Sequence, residues 1–492
     1  MKYPIKTILP FVLKTLSALA AGYYLALFLY ISISRLAFPI AIDWAEGAVL
    51  IQVNHLLAGY GMYARPDATY TALIYPPLYF YVAAAMTKIF GFGFLPLRLT
   101  SLLSTCGCLL VIFLIVNRVT HSKFYAFISS GFFAATYASV WSWFDFARVD
   151  MLFLLFFLLG TYFISARPSG SGSILAALFL SFAFFTKQSA IFFIPPLALL
   201  YFLRDRRQAL IFIFTAGVLI AVGMLLLNLQ TGGWYFYYVF ILPANHKLVT
   251  QLPFLLSIVT IMLTSMLVAL GLGVTPLLLE PGKSIRDADY SFFLFTAAAV
   301  LIGSVAGALA PASTHNAYIP VYATLAILLG IGLQKAQNKI ALLQRSDSIK
   351  AALVSLLAIL CLVQFSFLQY RTRDYLPAVQ DWKRANALIK SLAETQGDFL
   401  VPAHSYLALY ANRKLFYNEV PLWELNGQIG KKLVPEWTAV AKGIRQIVQS
   451  GEVSYVYLPE PLHDWQSMTC EKDEVLNSNS KFVPTLYKMV CK

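Results

Sequence analysis

The chain contains long runs of residues without a single charge, each about as long as a helix that crosses a lipid bilayer. Thr15–Ser34, Leu99–Asn117 and Phe124–Phe144 are three such runs. A helix needs about 20 mainly apolar residues to span the hydrocarbon core of a membrane. Membrane β-barrels show alternating segments of about ten residues instead. The runs therefore predict a helical protein that crosses the membrane several times.

The composition agrees with this prediction. Of the 492 residues, 59% are hydrophobic and only 12% are charged, whereas a soluble protein carries about 25% charged residues. The net charge of +14 does not indicate nucleic-acid binding, because the basic residues lie in short loops between apolar runs, where they set membrane orientation. The first run is too long for a cleaved signal peptide and lacks a small-residue cleavage site.

The apolar runs predict eleven membrane-spanning helices. We place them at 7–34, 98–117, 124–144, 150–166, 173–187, 188–203, 208–229, 253–279, 290–310, 317–334 and 350–369. Residues 1–370 then form a membrane core, and residues 371–492 form a soluble domain, because charged residues become frequent there, 13 acidic and 15 basic. Strands at 398–402 and 453–458 and helices at 381–395 and 435–450 are predicted in it. The fold class is an all-α polytopic membrane protein with a small C-terminal α/β domain.

The segment 35–97 between the first two spans contains two apolar stretches and is therefore not a simple loop. Apolar residues at helical spacing run from Val49 to Tyr60, which predicts an amphipathic helix. Pro76–Phe90 is apolar but short, and two prolines and Gly91 bound it. Both stretches are predicted to lie along the membrane surface or to dip into it.

The distribution of lysine and arginine predicts the orientation. Outside the soluble domain, 15 of these residues fall on the side of the N-terminus and 7 on the other side. The richer side faces the cytoplasm, so the C-terminal domain is predicted to be extracytoplasmic, with a bacterial inner membrane as the location. In an oxidising compartment Cys470 and Cys491, which lie outside the spans, could form a disulfide.

Acidic residues gather on the predicted outer side before the soluble domain. They are Asp43, Glu46, Asp67, Asp145 and Asp150. Asp43 and Glu46 have the spacing of a helix N-cap and its capping box, and spacing alone favours that interpretation. The alternative is that Asp43 is a desolvated general base that takes a proton from a hydroxyl.

Four short motifs carry a resemblance to a known superfamily. Ala41–Gly47 follows the first span, Tyr75–Leu78 contains two prolines, Phe146–Met151 begins the fourth span, and Thr186–Ala190 follows the fifth. Their order and shared outer placement resemble the GT-C glycosyltransferases, nearest to the group of protein O-mannosyltransferases, aminoarabinose transferases and Rgt-like proteins. The resemblance covers about residues 7–330 in its hydropathy layout.

The resemblance implies transfer of a sugar from a polyprenyl-phosphate carrier to an acceptor hydroxyl at the outer face. In these families an aspartate of the first outer loop is the catalytic base, and Asp43 is the matching position. Trp44 and Ala45 stand where many members have further acidic residues, and Tyr75 stands where some have an acidic residue. These departures put a metal role in doubt. No metal-ligand spacing or cofactor motif occurs, and a divalent metal is only compatible with the resemblance.

Transfer from a lipid phosphate needs a base for the acceptor and cations for the departing phosphate, and one base gives single displacement with inversion. The candidate phosphate ligands are Arg65, Arg98, Arg148 and Lys187. The supporting acidic residues are Glu46, Asp145 and Asp150, and the acceptor-side candidates are His246, His315 and Trp234. Each candidate also has a structural interpretation. Arg148 could instead pair with Asp145 or Asp150, and Lys187 could extend its ammonium group from the end of a span to the membrane surface. The two histidines could be structural, and Trp234 could belong to an interfacial aromatic belt.

The predicted partners are a polyprenyl-phosphate-sugar donor, a glycan, lipid or protein acceptor, and membrane lipids. The alternative function is a multi-pass transporter or lipid flippase, which also has many helices with interior charges. Against it, no internal repeat occurs and the charges gather on one face. A non-catalytic assembly partner is a third class, for which all acidic outer-face substitutions would be silent.

Overall fold

The computed structural model describes residues 5–166, 169–248, 252–310, 315–458, 470–476 and 480–491. Each of the eleven predicted spans overlaps an apolar helix in it. The helices of the first 370 residues are α1 (Ile5–Arg35), α2 (Glu46–Leu57), α3 (Leu78–Phe90), α4 (Phe94–Thr120), α5 (Lys123–Ala135), α6 (Asp150–Ser165), α7 (Gly170–Thr186), α8 (Ile194–Arg204), α9 (Arg206–Gln230), α10 (Trp234–Phe236), α11 (Leu242–Ala244), α12 (Leu252–Leu279), α13 (Pro281–Arg286), α14 (Ala288–Ala308), α15 (Ile319–Ala341) and α16 (Asp347–Phe367).

Among the described residues, six helices are long and apolar enough to cross a membrane: α1, α4, α9, α14, α15 and α16. The other predicted spans correspond to α5, α6, α7, α8 and α12. The chain is thus a polytopic helical membrane protein, and the number eleven stays a prediction.

Helix α15 is the centre of the bundle. The apolar stretch of 18 residues in α15 is 94% buried within the protein, whereas the corresponding stretch of α9 is only 11% buried. A Cβ atom at Gly332 would collide with the backbone of α12, and one at Gly330 would collide with Ser129 of α5. Small residues of this kind let membrane helices approach closely and gain dispersion contacts.

The prediction of one span at 124–144 is wrong in its second half. Helix α5 ends at Ala135, and residues 136–149 form a folded segment that contains a single short 3₁₀ turn. Tyr137, Trp143 and Phe144 are at most 2% exposed. The uncharged run continues because these aromatic side chains are buried among neighbouring helices, and hydropathy alone cannot separate that from burial in lipid.

The predicted surface helices in 35–97 are α2 and α3. Helix α2 is buried along its first two turns, since Val49, Leu50 and Val53 are at most 2% exposed. It packs against α3 and α4. The apolar face of α2 is thus covered by protein.

The elements after residue 370 are α17 (Val379–Glu394), β1 (Asp398–Leu400), α18 (Tyr406–Tyr410), α19 (Glu419–Leu422), α20 (Pro435–Gln449), β2 (Val453–Leu458), β3 (Cys470–Leu476) and β4 (Leu486–Cys491). The four described strands form one sheet in the order β1-β2-β4-β3, with β1 parallel to β2 and the other neighbours antiparallel. The α/β prediction is confirmed, although β3 and β4 were not predicted. Cys470 stands opposite Cys491 in the register of these strands, but their side chains lie outside the described part, so the disulfide stays a prediction.

The C-terminal domain packs on the membrane core through α2 and the segment after α11. The backbone N–H of Ala41 donates to the Tyr406 hydroxyl over 3.0 Å, and Gly47 lies against the Tyr406 ring so closely that a Cβ would collide with it. Lys247 N donates to Ile429 O over 3.0 Å. These contacts hold the C-terminal domain against the membrane core.

Candidate active site

Four charged side chains from three separate segments form a continuous series of ion pairs. Arg148 Nη1 lies 2.6 Å from Asp43 Oδ1, and Arg148 Nε lies 3.5 Å from Asp150 Oδ2. Lys187 Nζ lies 2.7 Å from Asp150 Oδ1. Asp43 follows α1, Arg148 and Asp150 stand at the start of α6, and Lys187 follows α7. We call these four residues the charge chain; tertiary packing alone brings them together.

Aromatic rings fix the central arginine of the charge chain. The guanidinium carbon of Arg148 lies 3.8 Å from the ring centre of Trp143 and 5.2 Å from that of Trp44. Cation–π contacts of this kind are stronger when water is excluded, and the Arg148 side chain is only 3% exposed. Arg148 is therefore held rigidly between two carboxylates.

Asp150 has one well-bonded oxygen and one that is not. Oδ1 accepts from Lys187 and, over 3.0 Å, from Asn316 Nδ2. Oδ2 accepts no hydrogen bond from the described residues. A buried carboxylate oxygen in that state is uncommon and keeps capacity for one more donor. Nothing in the sequence singles out Asn316 apart from its place beside His315.

The capping-box interpretation of Asp43 is wrong. Helix α2 begins at Glu46, its N-cap position is Ala45, and no side chain caps it. Asp43 Oδ1 instead accepts from Ala45 N over 3.2 Å and from Arg148. Burial raises the pKa of Asp43 although the Arg148 cation opposes that shift. A raised pKa makes this carboxylate a better proton acceptor near neutral pH.

Glu46 forms a separate pair with Arg98. Two parallel hydrogen bonds of 2.9 and 2.7 Å join the two side chains. The other Arg98 donors bond the backbone carbonyls of Arg35, Phe38 and Ile40. Burial would raise the pKa of Glu46, but Arg98 and the backbone N–H groups of Ala147 and Ile42 lower it on balance. All of these groups are engaged with each other, so the pair connects α2, α4 and the segment before α6.

Asp145 is engaged in a similar way by Arg35. The two side chains form hydrogen bonds of 2.8 and 2.6 Å, and the Tyr137 hydroxyl donates to the same carboxylate over 3.1 Å. Both charged side chains are 1% exposed. Arg148 thus pairs with Asp43 and Asp150, and Asp145 has its own arginine.

Each end of the charge chain lies in a cavity of its own. Asp43 lines a cavity of about 310 Å³, whose wall also includes Trp141 and, from the C-terminal domain, Tyr375 and Phe482. We call it the Asp43 cavity. Lys187 lines a second cavity of about 390 Å³, the Lys187 cavity. Most of its walls are apolar, and its polar lining includes Lys187, Gln188, His246 and Asn316.

The other predicted site residues are placed as follows. Arg65 is exposed and is not among the described lining residues of either cavity. His246 lines the Lys187 cavity, and its Nε2 lies 2.5 Å from Glu424 Oε2 of the C-terminal domain. His315 stacks on Trp141 with ring centres 4.1 Å apart. Trp234 packs against Tyr237 and is absent from the described lining of both cavities.

The backbone beside the Asp43 cavity is strained. Trp141 and Ser142 have φ angles of 54° and 60°, in the left-handed region that bulky residues rarely adopt. Each such residue costs about 1–3 kcal/mol and persists only where the surroundings hold it. Strained residues cluster at functional sites, and these two precede the segment that carries Arg148.

In the described part of the chain, no group of three or more His, Cys, Asp and Glu side chains is placed to hold a metal ion.

Residues 75–230 match the family described as dolichyl-phosphate-mannose-protein mannosyltransferase. This segment contains three of the four motifs and the charge-chain residues Arg148, Asp150 and Lys187, but not Asp43. No curated protein matches the chain by sequence.

The fold is similar to that of solved membrane proteins. The crystal structure of ArnT from Cupriavidus metallidurans bound to undecaprenyl phosphate has a TM-score of 0.60 at 13% identity, over 95% of this chain and 97% of that chain. The apo state of the same protein gives 0.60 at 14% identity over the same shares of the two chains. The apo oligosaccharyltransferase of Archaeoglobus fulgidus gives 0.50 at 12% identity, over 88% of this chain and 69% of that one.

The helical architecture and the matched segment together define the class: this is a polytopic helical membrane protein, and its residues 75–230 are similar to the dolichyl-phosphate-mannose-protein mannosyltransferases. Its fold resembles that of ArnT over nearly the full length of both chains.

Proposed function

We propose that the chain transfers a sugar from a polyprenyl-phosphate-linked donor to an acceptor hydroxyl at the outer face of the membrane. The observation that carries the proposal is the charge chain, which presents a carboxylate, Asp43, to one cavity and a cation, Lys187, to another. A base and a phosphate-binding cation are the two groups that this transfer requires.

The Lys187 cavity has the chemistry of a lipid-phosphate donor. Its apolar lining includes Phe153, Phe192, Phe193, Val239, Phe240 and Leu248, which suit an isoprenoid chain. Lys187 and Asn316 at its polar part can donate hydrogen bonds to a phosphate. The ArnT structure with a similar fold has undecaprenyl phosphate bound, which supports a carrier of this kind here.

Asp43 acts on the acceptor. It takes the proton of the acceptor hydroxyl while the hydroxyl oxygen attacks the anomeric carbon. The bond from that carbon to the phosphate oxygen breaks, and its electron pair leaves with the polyprenyl phosphate. One displacement inverts the anomeric configuration. The proton remains on Asp43, whose burial raises its pKa and thereby favours the protonated form.

Arg148 couples the two cavities. It pairs with Asp43 at 2.6 Å and with Asp150 at 3.5 Å, while Asp150 also bonds Lys187. A donor phosphate that reaches Arg148 or Lys187 competes with these carboxylates for the cations. Donor binding then weakens the hold of Arg148 on Asp43 and frees the base, so that Asp150 is a positioning residue.

The test is mass spectrometry of polyprenyl-phosphate lipids from cells that carry wild type or Asp43→Asn. The substitution keeps the shape of the side chain but removes the base, so transfer falls by about 10²–10⁴-fold and one glycosylated carrier accumulates. The mass of that carrier identifies the donor sugar. Asp67→Asn is the matched control, because Asp67 is an exposed outer-loop carboxylate that only accepts local hydrogen bonds.

An unchanged lipid profile, with Asp43→Asn protein folded and abundant, would contradict the proposal and favour a transporter or flippase. Accessibility labelling of Lys187 would then show alternating exposure from both sides of the membrane.

We place the site and the C-terminal domain outside a bacterial inner membrane, with the N-terminus in the cytoplasm. Support comes from the far end of the bundle. Arg98 and Arg118 stand near opposite ends of α4, and Arg118 lies with Arg204 beside Asp289. Arg118 and Arg204 belong to the loops that the lysine and arginine count assigns to the cytoplasm, whereas Arg98 falls on the outer side.

A further inference from the structure

The indole of Trp141 is exposed at the reacting end of the site. It is 56% exposed although it follows a buried stretch, and it lines the Asp43 cavity together with the proposed base. Its ring packs on His315, which fixes its orientation. The backbone at Trp141 has φ 54°, a conformation that would suit glycine. A bulky ring is therefore held at a strained position where it gains little burial.

Part of the lining of the Asp43 cavity comes from the C-terminal domain. Tyr375 and Phe482 add two more aromatic rings, and Asp374 and Lys481 add a carboxylate and an ammonium group. Lys481 Nζ donates to the Asp374 carbonyl over 2.7 Å, which keeps both residues at the cavity. Aromatic faces beside hydrogen-bonding groups match a ligand that has apolar C–H faces and a rim of hydroxyl groups.

We infer that the Asp43 cavity binds a pyranose ring of the acceptor, stacked on the indole of Trp141, so that the acceptor is a glycan. The inference rests on the proposed function and specifies its acceptor class. The C–H bonds of a pyranose face carry partial positive charge and are attracted to the negative face of an indole. The Asp374 and Lys481 side chains are available for the ring hydroxyl groups, and Asp43 for the reacting one.

The size of the cavity favours a sugar over a peptide. A volume of about 310 Å³ is at the small end of ligand pockets and suits a single ring. Peptide acceptors are held by an added strand, a groove or a nest of backbone groups, whereas the described lining of this cavity consists mainly of aromatic and charged side chains.

The test is saturation-transfer-difference NMR on the full chain in lipid nanodiscs. The probes are the methyl α-glycosides of glucose, galactose and mannose, with sorbitol as a hydroxyl-rich control without a ring and a Ser/Thr hexapeptide as the peptide probe. Trp141→Gly removes the indole and suits the positive φ, so the fold is expected to persist. Trp141→Phe restores an aromatic face, and Trp234→Ala is the matched loss of an indole outside both cavities.

We expect saturation of the ring protons of at least one glycoside in wild type. The affinity for that glycoside should fall about tenfold in Trp141→Gly and recover in Trp141→Phe. Trp234→Ala should bind like wild type, and sorbitol should not bind. Equal saturation in wild type and Trp141→Gly, or saturation of the peptide instead of the glycosides, would overturn the inference. Glycoside binding does not require transfer, so failure of the proposed function shows separately, in the lipid profile of Asp43→Asn.

Discussion

Asp43 is subject to two opposing effects on its pKa. Burial disfavours its charged form, and the Arg148 cation at 2.6 Å favours it. The net direction is upward, so the burial effect is the larger one. Glu46, three residues later, has its pKa lowered because two strong hydrogen bonds from Arg98 and two backbone N–H groups outweigh burial. Two carboxylates in one loop thus acquire different chemistry from their partners.

The pH dependence of transfer should report this difference. A base must be ionised to accept a proton, so kcat/KM falls as the pH drops through the pKa of Asp43. Because that pKa is raised, we expect the acidic limb above the usual aspartate value of about 4. The same shift means that the Asp43 contribution to stability is present below the unfolded-state pKa and is lost as the pH rises through the folded-state pKa.

A pH–rate profile of the purified protein with saturating donor measures the limb. Asp43→Glu should shift the pH of this acidic limb, because the longer side chain changes the distance between the carboxylate and Arg148. A limb at or below pH 4 in the wild type would contradict the raised pKa.

At the scale of elements, buried ion pairs connect segments that are distant in sequence. Glu46 begins α2, and Arg98 is in the second turn of α4. Their bidentate pair is at most 1% exposed and holds the start of α2 against α4. Asp145 and Arg35 connect α1 to the segment before α6 in the same way. These pairs determine where these ends of the helices stand and therefore where Asp43 meets Arg148.

Arg98→Met should destabilise the protein by about 3–5 kcal/mol, because it leaves Glu46 buried without a counter-charge. Glu46→Gln combined with Arg98→Met should cost less than Arg98→Met alone, since no unpaired charge remains. Thermal unfolding in detergent, followed for both variants and for Lys88→Met as an exposed control, measures this. Equal losses in the single and double variants would show that packing, and not the unpaired charge, causes the effect.

At the scale of the whole molecule, the Lys187 cavity is assembled from several distant segments. Lys187 follows α7, Ser304 is in α14, and Asn316 precedes α15. His246 completes the lining while it bonds Glu424 of the C-terminal domain. The soluble domain therefore supports a wall of the cavity in which the donor is proposed to bind.

Lys187→Gln should raise the KM for the donor about tenfold and leave the KM for the acceptor unchanged, because only the donor carries a phosphate in that cavity. Arg65→Gln is the matched control, since Arg65 is an exposed cation that is not among the described lining residues of either cavity. Steady-state kinetics with each substrate varied in turn separates the two effects. An unchanged donor KM in Lys187→Gln would remove this residue from the donor site.

The sequence by itself determined the class of the fold. Uncharged runs of about 20 residues are stable only where lipid or protein covers them, and every predicted span overlaps a helix. The rise in charged residues after position 370 likewise predicted a soluble domain. These features depend on local composition, which is read directly from the chain, although composition could not show that residues 136–149 leave the helix of α5.

Only the tertiary structure decided which charged residues form the site. By spacing, Asp43 resembled a helix cap and Arg98 a phosphate ligand, and Arg148 had two candidate partners. Packing placed Asp43 on Arg148, occupied Arg98 with Glu46, and gave Trp141 its exposed, strained position. The physical reason is that an ion pair depends on the distance between two side chains, and residues such as Asp43 and Arg148, 105 positions apart, acquire that distance only when the helices between them pack.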